Sequence, residues 1–334
     1  MTTLASGSGE TAGPANLISF DDNRLLPLLF GEHDKFLVRI EESLGIALIN
    51  RGNQIALEGK DDAVEVARSA LARLYQQVKN GDEIDAADVD AAVRMATAPT
   101  DLFGEKEPVI RTKRRQVKAR SPRQAAYIEA MLENDLVFGI GPAGTGKTYL
   151  AVCHGVSMMM AGQVDRLVLS RPAVEAGERL GFLPGDMKEK VDPYLRPIYD
   201  ALYDTMPADL VTRKLESNEI EIAPLAFMRG RTLKNAFVLL DEAQNTTTVQ
   251  MKMFLTRLGD NARMVVTGDL SQVDLPPGQK SGLKDALEVL DDVTGIDIVR
   301  FDDSDVVRHP MVAKIVRAYG ARDQKQLNGG NGQK

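Results

Sequence analysis

The chain has 334 residues, of which 43% are hydrophobic and 27% are charged, and its formal net charge is −7. That length predicts about two domains. No run of about 20 apolar residues is present, so no membrane span is expected. The single cysteine, Cys153, excludes an internal disulfide framework and is typical of a reducing compartment, which predicts a cytoplasmic protein. The negative charge argues against wholesale coating of nucleic acid but allows a local basic channel.

The N-terminal part is predicted to be a disordered leader, residues 1–15, followed by a small α+β domain, residues 16–98. In that domain "DKFLVRIEESLGIALINRGNQIALEG" alternates apolar and polar residues around a turn at Asn50 to Asn53, which predicts a β-hairpin. The next stretch predicts a helix that ends at Gly81, because apolar residues recur on one face. These residues are Val64, Ala67, Leu71, Leu74 and Val78.

This small domain resembles a KH-like RNA-binding module. It lacks the G-x-x-G loop between helices that clamps the RNA backbone in that module. Both RNA binding and a role in oligomerisation or docking therefore remain open for it.

Residues 99–118 are predicted to be a basic linker. The stretch "RTKRRQVKARSPR", Arg111 to Arg123, contains no acidic residue. It is interpreted either as a solvated connection between domains or as a strip that contacts RNA or a neighbouring subunit.

From residue 119 to residue 320, strand and helix patterns alternate, and residues 321–334 are predicted to be disordered. Continuous apolar strands, buried on both faces, indicate a mostly parallel sheet covered by helices, which is an α/β fold. The predicted strands are Leu136 to Ile140, Leu167 to Ser170, Ile220 to Ala223, Ala236 to Leu240, Met264 to Thr267 and Ile296 to Phe301.

A phosphate-binding loop follows the first of these strands. The run "GPAGTGKT" matches G-x-x-x-x-G-K-S/T, and it lies between a strand and a helix, so backbone N–H groups and a helix N-terminus converge on phosphates. Lys147 is expected to reach the β- and γ-phosphates and Thr148 to hold Mg²⁺. The predicted nucleotide-contacting residues are Gly141, Pro142, Ala143, Gly144, Thr145, Gly146, Lys147, Thr148 and Tyr149.

Two acids follow the strand in "AFVLLDEAQN". Asp241 is predicted to reach toward the metal, and Glu242 to accept a proton from the attacking water. The alternative is that these acids only end the strand and cap the next helix.

The run "RMVVTGDLSQVD" ends a further strand. Thr267, Gly268, Asp269 and Gln272 are predicted to face the same crevice, because parallel sheets bind ligands at the carboxyl ends of their strands. Gln272 would contact the γ-phosphate or position water. Taken alone, "GDLSQ" is more often a turn, and its position at a third strand end of the same sheet edge favours function.

Together "GPAGTGKT", "SRPAVEAGERLGFLPGD", "VLLDEAQN", "VTGDLSQVDLP" and "DVVRHPMVAKIV" resemble the PhoH-like ATPase family over most of the chain from Arg123 to Gly320. The resemblance implies a RecA-like P-loop core, similar to one half of a superfamily 1 helicase. It also implies that Gln124 occupies the place of the glutamine that reads adenine. No N/T-K-x-D motif for guanine is present, so the expected ligands are ATP and Mg²⁺.

A single core raises the question of a catalytic arginine, because superfamily 1 motors clasp ATP between two cores. Arg308 in "DSDVVRHPM" resembles the family's motif arginine, and Arg171 is a second candidate. We expect Arg308 to act at a neighbour's nucleotide in a homo-oligomeric ring, since heterologous contacts that close produce rings. The alternative for either arginine is an ordinary salt bridge.

The function expected from these motifs is an oligomeric ATPase that couples hydrolysis to binding or remodelling of single-stranded RNA, as a helicase-like protein working with an RNA-processing nuclease. A candidate RNA track borders the insertion after residue 171. Its residues are Arg171, Arg179, Phe182, Lys188, Lys190 and Tyr194, together with Arg229 and Arg231 in "FMRGRT". The alternative is a nucleotide-dependent switch or chaperone for a protein partner. A metal nuclease is disfavoured because His33, His154 and His309 lack ligand spacing.

Overall fold

The computed structural model describes residues 16–97, 108–172 and 187–307, and for residues 187–194 it describes only the helical backbone. The predicted leader and tail lie outside these residues, as do Arg308 and the side chains of the candidate RNA track from Arg179 to Tyr194. Of the other track residues, Arg231 pairs with Glu221, its Nη1 lying 2.6 Å from Oε1. The chain divides into two compact units. One comprises Met1–Lys106 with Arg120–Pro122, and the other comprises Glu107–Ala119 with Arg123–Lys334.

The N-terminal unit is a small α+β structure with a three-stranded antiparallel sheet in the order β1-β3-β2. Its elements are β1 (Leu17–Ser19), α1 (Leu26–Phe30), α2 (Lys35–Leu44), β2 (Ala47–Arg51), β3 (Gln54–Glu58), α3 (Asp61–Lys79) and α4 (Ala86–Ala96). The predicted hairpin is present as β2 and β3. The predicted helix is α3, whose five named apolar residues are all buried.

The stretch before the hairpin differs from the prediction, because residues 35–44 form helix α2 rather than an alternating strand. Phe36, Leu37 and Ile40 are buried, whereas Val38 is exposed, so the apolar face follows helical spacing. Gly45 ends the helix with φ of +65°, and its N–H donates to the Glu41 carbonyl. This left-handed residue is a common helix ending.

The second unit contains the α/β core. Its elements are β4 (Val109–Arg111), β5 (Gln116–Lys118), α5 (Pro122–Glu133), β6 (Leu136–Ile140), α6 (Lys147–Met160), β7 (Arg166–Arg171), α7 (Met187–Thr205), α8 (Ala208–Glu216), β8 (Ile220–Pro224), β9 (Ala236–Leu240), α9 (Thr248–Leu255), β10 (Arg263–Gly268), α10 (Gly282–Leu290) and β11 (Ile296–Arg300).

Part of the predicted linker is folded. Strands β4 and β5 form an antiparallel hairpin that belongs to the second unit. Ile110 and Val117 are paired across the hairpin and both are buried. One buried residue at the centre of each short strand anchors the hairpin. So weak a pattern is typical of a linker when only the sequence is considered.

The core is a six-stranded parallel sheet in the order β11-β6-β10-β9-β7-β8, so all six predicted strands are present. Strands β6 and β9 are buried at every position, which explains their uninterrupted apolar sequences. This is the RecA-like α/β architecture that the motifs predict. No helix in the described part of the chain is both long and apolar enough to cross a membrane.

Strand register positions the site. Gly268 pairs with Ile140, and Val266 pairs with Leu240, so β6, β9 and β10 end at the same edge of the sheet. The residues that follow these ends are therefore brought together in space.

Candidate nucleotide-binding site

The phosphate-binding loop depends on glycine for both conformation and space. Gly141, Gly144 and Gly146 have φ of +147°, +87° and +84°, values that other residues rarely adopt. A Cβ atom on Gly141 would lie 2.5 Å from the Phe301 carbonyl oxygen, and a Cβ atom on Gly146 would lie 2.9 Å from Nε2 of Gln124. The loop is thus shaped by backbone geometry and by close neighbours on both sides.

Lys147 opens helix α6 and lies folded over the loop. Its Nζ donates to the carbonyl oxygens of Gly141 and Pro142, each at 2.7 Å, and only 8% of the residue is exposed. The Thr145 hydroxyl also donates to the Pro142 carbonyl at 3.0 Å. A phosphate could replace these carbonyls as a partner of the ammonium, because hydrogen bonds between two charged groups are stronger.

A cleft of about 240 Å³ brings most of the predicted residues together. It is lined by Ala143, Gly144, Gly146, Lys147, Thr148, Tyr149, Pro197, Asp241, Glu242, Gly268, Asp269 and Gln272. Known ligand pockets start at about 300 Å³, so the cleft suits the phosphate portion of a nucleotide better than a whole one. Among these lining residues, Pro197 on α7 is the one that the sequence analysis did not place at the site.

The oxygen atoms at the base of the cleft fit Mg²⁺. Oγ1 of Thr148 and Oγ1 of Thr267 both donate to Oδ1 of Asp241 at 2.7 Å. Oδ2 of Asp269 is buried without a hydrogen-bond partner among the described residues. Those residues contain no group of three or more His, Cys, Asp or Glu able to hold a metal. A hydroxyl and one or two carboxylates are what Mg²⁺ uses when phosphates and water complete its shell.

Glu242 is held in a strained and fixed position. Its φ is +53°, a left-handed value that costs about 1 kcal/mol or more for a non-glycine residue and is typical of functional sites. Oε1 lies 3.0 Å from Nη2 of Arg171, and Oε2 accepts a hydrogen bond from Nε2 of Gln244 at 2.5 Å. Arg171, the second candidate for a catalytic arginine, therefore pairs with Glu242 of its own chain.

Gln244 is a site residue that the sequence prediction missed. It is buried, its Nε2 also donates to the Gln272 carbonyl at 3.2 Å, and its Oε1 accepts from the Asp269 N–H at 3.0 Å. Gln244 thus connects Glu242 to the loop after β10, which carries Gln272. The available signal was the last letter of "DEAQ", an amide directly after the acids.

Gln124 lies under the loop rather than in the cleft. It is buried, and its Nε2 donates to the Thr145 carbonyl at 2.9 Å. In the described contacts Gln124 stabilises the loop. Its recognition of the adenine base stays a prediction. Arg308 lies outside the described residues, but the residue before it, Val307, donates its N–H to the Gly144 carbonyl at 2.9 Å.

Three further groups on α6 have shifted pKa values. Burial, aided by a nearby hydrogen bond to Asp204, raises the pKa of Tyr149, whose hydroxyl donates to Oδ2 of Asp204 at 2.6 Å. Burial raises the pKa of Cys153 to about 12, so the thiol stays protonated and acts as a buried apolar group. Burial lowers the pKa of His154 to about 4.

A parallel α/β sheet whose strand ends assemble a glycine loop, a buried lysine and a Thr–Asp pair defines a P-loop nucleotide-binding protein. A family model described as "PhoH-like protein" matches residues 116–320. The chain belongs to the PhoH-like protein family.

Relatives with that description match most of the chain. The "PhoH-like protein" of Bacillus subtilis (strain 168) is 52% identical over 295 residues, which cover 87% of this chain and 92% of the relative. The "PhoH-like protein" of Mycobacterium bovis is 45% identical over 303 residues, 89% of this chain and 85% of the relative. "Protein PhoH" of Escherichia coli (strain K12) is 46% identical over 205 residues, 61% of this chain and 58% of the relative.

Proposed function

We propose that the protein binds ATP with Mg²⁺ and hydrolyses it. The observation that carries this proposal is the placement of Glu242 in the same cleft as the Thr148–Asp241 pair and the loop lysine. A carboxylate beside a phosphate and metal site can take a proton from an attacking water. A protein that only binds nucleotide does not need that carboxylate.

Each residue has a distinct part in this reaction. The loop N–H groups and Lys147 hold the phosphates, and Thr148 with Asp241 holds the metal. Mg²⁺ when bound neutralises charge on the phosphate oxygens. Glu242 accepts the water proton, and its orientation is kept by Arg171 and Gln244. Gln272, on the same wall of the cleft as Glu242, contacts the γ-phosphate or positions the water.

We further propose that hydrolysis is coupled to binding or remodelling of single-stranded RNA in a helicase-like manner. The support is the hydrogen-bonded path from Glu242 through Gln244 to the loop of Asp269 and Gln272. Loss of the γ-phosphate would change the partners at one end of this path and shift the loop at the other. The resemblance to helicase motifs supports RNA as the molecule on which the protein acts.

The coupled machine is proposed to be a homo-oligomeric ring that works with an RNA-processing nuclease. Arg308 would then complete the site of a neighbouring subunit, where an arginine is worth about 10³ to 10⁵ in rate. Mixing Arg308→Ala subunits with Glu242→Gln subunits tests this arrangement. Partial recovery of hydrolysis in the mixture requires a site shared between subunits. A mixture that hydrolyses no more ATP than the two variants do separately refutes the shared site.

The main test is steady-state ATP hydrolysis with and without single-stranded RNA. Lys147→Ala and Glu242→Gln serve as controls for contaminating activity. Stimulation by RNA that both substitutions abolish supports the proposal. Hydrolysis that is indifferent to RNA refutes RNA coupling and favours the nucleotide-dependent switch or chaperone for a protein partner.

A further inference from the structure

The hairpin of β4 and β5 is a concentrated basic surface on an acidic chain. From Val109 to Lys118 the hairpin has five Lys or Arg residues and no Asp or Glu, while the whole chain has 48 acidic and 41 basic residues. Arg111 and Lys113 are exposed, and no acidic group among the described residues pairs with either. A surface of this kind attracts the phosphates of a nucleic acid.

The tip of the hairpin is ordered, not a loose charged loop. The Thr112 N–H and hydroxyl both donate to the Arg115 carbonyl, at 3.0 and 2.9 Å, and the Arg115 N–H donates back to the Thr112 hydroxyl at 3.2 Å. Ile110 and Val117 are buried beneath it. Cations on a fixed turn lose less conformational entropy when they bind than cations on a free chain.

A chain of contacts connects this hairpin to the nucleotide cleft. Arg114 donates to the Tyr203 carbonyl on α7 at 2.6 Å, and Nη2 of Arg115 lies 2.8 Å from Oδ1 of Asp204. The other oxygen of Asp204 accepts the hydroxyl of Tyr149, which lines the cleft next to Thr148. Arg115 also donates directly to the Tyr149 hydroxyl at 3.4 Å. Arg115, Asp204 and Tyr149 together therefore join the hairpin to the first turn of the phosphate-binding helix.

The Arg115–Asp204 pair is suited to exchange. The side chains of Arg115 and Asp204 are 52% and 33% exposed. Exposed ion pairs contribute little to stability, so a phosphate can compete with Asp204 for Arg115 at little cost. After the exchange, Tyr149 would be the remaining partner of Asp204. The position of Tyr149, which lines the cleft, would then change.

We propose that the β4–β5 hairpin is a binding surface for the phosphate backbone of single-stranded RNA, and that Asp204 transmits its occupancy to the nucleotide cleft through Tyr149. This inference rests on the proposed RNA coupling and assigns it a surface. No Phe, Tyr or Trp lies between Pro108 and Arg123, so the hairpin has no aromatic ring on which a base can stack. It would contact the phosphates of the RNA through its cations. Binding there is independent of sequence and strongly dependent on salt.

The binding test uses the full chain and a fluorescein-labelled oligouridine of about 20 nucleotides, long enough to span the site sizes of single-strand binding modules. Anisotropy gives the affinity as salt rises. Each phosphate contact to a single strand contributes a slope of about −0.7 to the logarithmic salt dependence, so Arg111→Gln with Lys113→Gln lowers the slope by about 1.4. Between about 50 and 200 mM salt, the unaltered chain then loses about seven times more affinity than the double variant.

The matched control removes the same charge elsewhere. Lys252→Gln with Lys284→Gln changes two exposed lysines on α9 and α10, which pack against each other. This control keeps the slope of the unaltered chain. An equal slope in all three proteins refutes the hairpin as the surface while leaving RNA coupling intact. No RNA binding by the unaltered chain refutes RNA coupling itself, and the hairpin proposal with it.

The transmission test is Asp204→Asn, which keeps the shape of the side chain and removes its charge. RNA affinity is expected to stay within about twofold, because rim charges of this kind contribute little. The stimulation of ATP hydrolysis at saturating RNA is expected to be lost. Stimulation equal to that of the unaltered chain refutes the role of Asp204.

Discussion

The cleft has two walls, and they are held in different ways. The loop wall, Gly141 to Thr148, is shaped by backbone conformation, and its charged group folds back on the loop's own carbonyls. The acidic wall, which carries Glu242 and Gln272, is held by side chains that contact one another through Gln244. A wall fixed by its backbone suits binding, whereas a wall of linked side chains can respond to what is bound.

The sharpest test of this contrast is a pair of substitutions, one in each wall. Lys147→Ala is expected to lower both nucleotide affinity and hydrolysis, the latter by about 10³-fold, because the ammonium contacts the phosphates in every state. Glu242→Gln is expected to lower hydrolysis by about 10² to 10⁴-fold while nucleotide affinity is retained. A fluorescent ATP analogue measures affinity, and phosphate release measures turnover. Loss of nucleotide affinity in Glu242→Gln would contradict the division between the walls.

The helix behind the loop wall gives a prediction about pH. Burial lowers the pKa of His154 to about 4 from an ordinary value of 6.5, so the folded chain favours the neutral ring. This contribution to stability is fully present above pH 6.5 and is lost as pH falls toward 4, since the unfolded chain binds the proton first. The loss amounts to about 3 kcal/mol, at about 1.4 kcal/mol for each pH unit.

Urea unfolding followed by circular dichroism across this pH range measures the effect. His154→Leu is the matched control, because it keeps an apolar partner for Phe237, whose ring centroid lies 5.8 Å from the imidazole. The leucine variant lacks the titrating ring. Between pH 6.5 and pH 4 its free energy of unfolding is therefore expected to fall by about 3 kcal/mol less than that of the unaltered chain. Identical profiles in the two proteins would show that another group causes the acid sensitivity.

Gln244 tests whether the acidic wall acts as a unit. Gln244→Ala leaves the buried Asp269 N–H without its partner, which costs about 1 to 3 kcal/mol of stability. It also frees one oxygen of Glu242, and hydrolysis is expected to fall by about 10- to 100-fold, as for a misplaced catalytic group. Gln116→Ala, at an exposed glutamine on β5, is the control and should change neither quantity. Full activity in Gln244→Ala would mean that Glu242 is oriented by Arg171 alone.

The smallest expected effect concerns Tyr127, whose ring packs edge-on against Phe301 behind the loop. Its hydroxyl is buried without a hydrogen-bond partner among the described residues. Tyr127→Phe is therefore expected to leave stability unchanged or raise it by up to about 1 kcal/mol. Tyr75→Phe is the counterpart, because the Tyr75 hydroxyl accepts from the Asp22 N–H at 2.9 Å, and it should cost about 1 kcal/mol. Equal losses of stability in the two variants would indicate an unrecognised partner for Tyr127.

Sequence alone predicts the loop wall better than the acidic wall. The glycines, Lys147 and Thr148 act through local backbone geometry, so a short motif is enough to place them. Gln244 acts through atoms on Glu242, Asp269 and Gln272, and the last two lie on a different strand end. Such contacts depend on the register between β9 and β10, which no local pattern encodes.

The same distinction explains the two errors of the fold prediction. The apolar residues of α2 include Phe36, Val38 and Ile40, whose alternation also fits a strand, and only packing shows that Leu37 is buried and Val38 is not. The β4–β5 hairpin has one buried residue in each strand, too few for a recognisable period. Strands β6 and β9 have no such ambiguity, because neither contains a polar residue and both are buried at every position.

The loop begins at residue 141, yet two of its contacts come from the far end of the fold. The Phe301 carbonyl lies against Gly141, and Val307 donates its N–H to the Gly144 carbonyl. A ribosome makes the chain from the N-terminus. The loop therefore cannot acquire its final support until the sixth strand of the sheet and the turn after it have been made. We therefore expect nucleotide binding to become available late in synthesis, after the sixth strand has emerged.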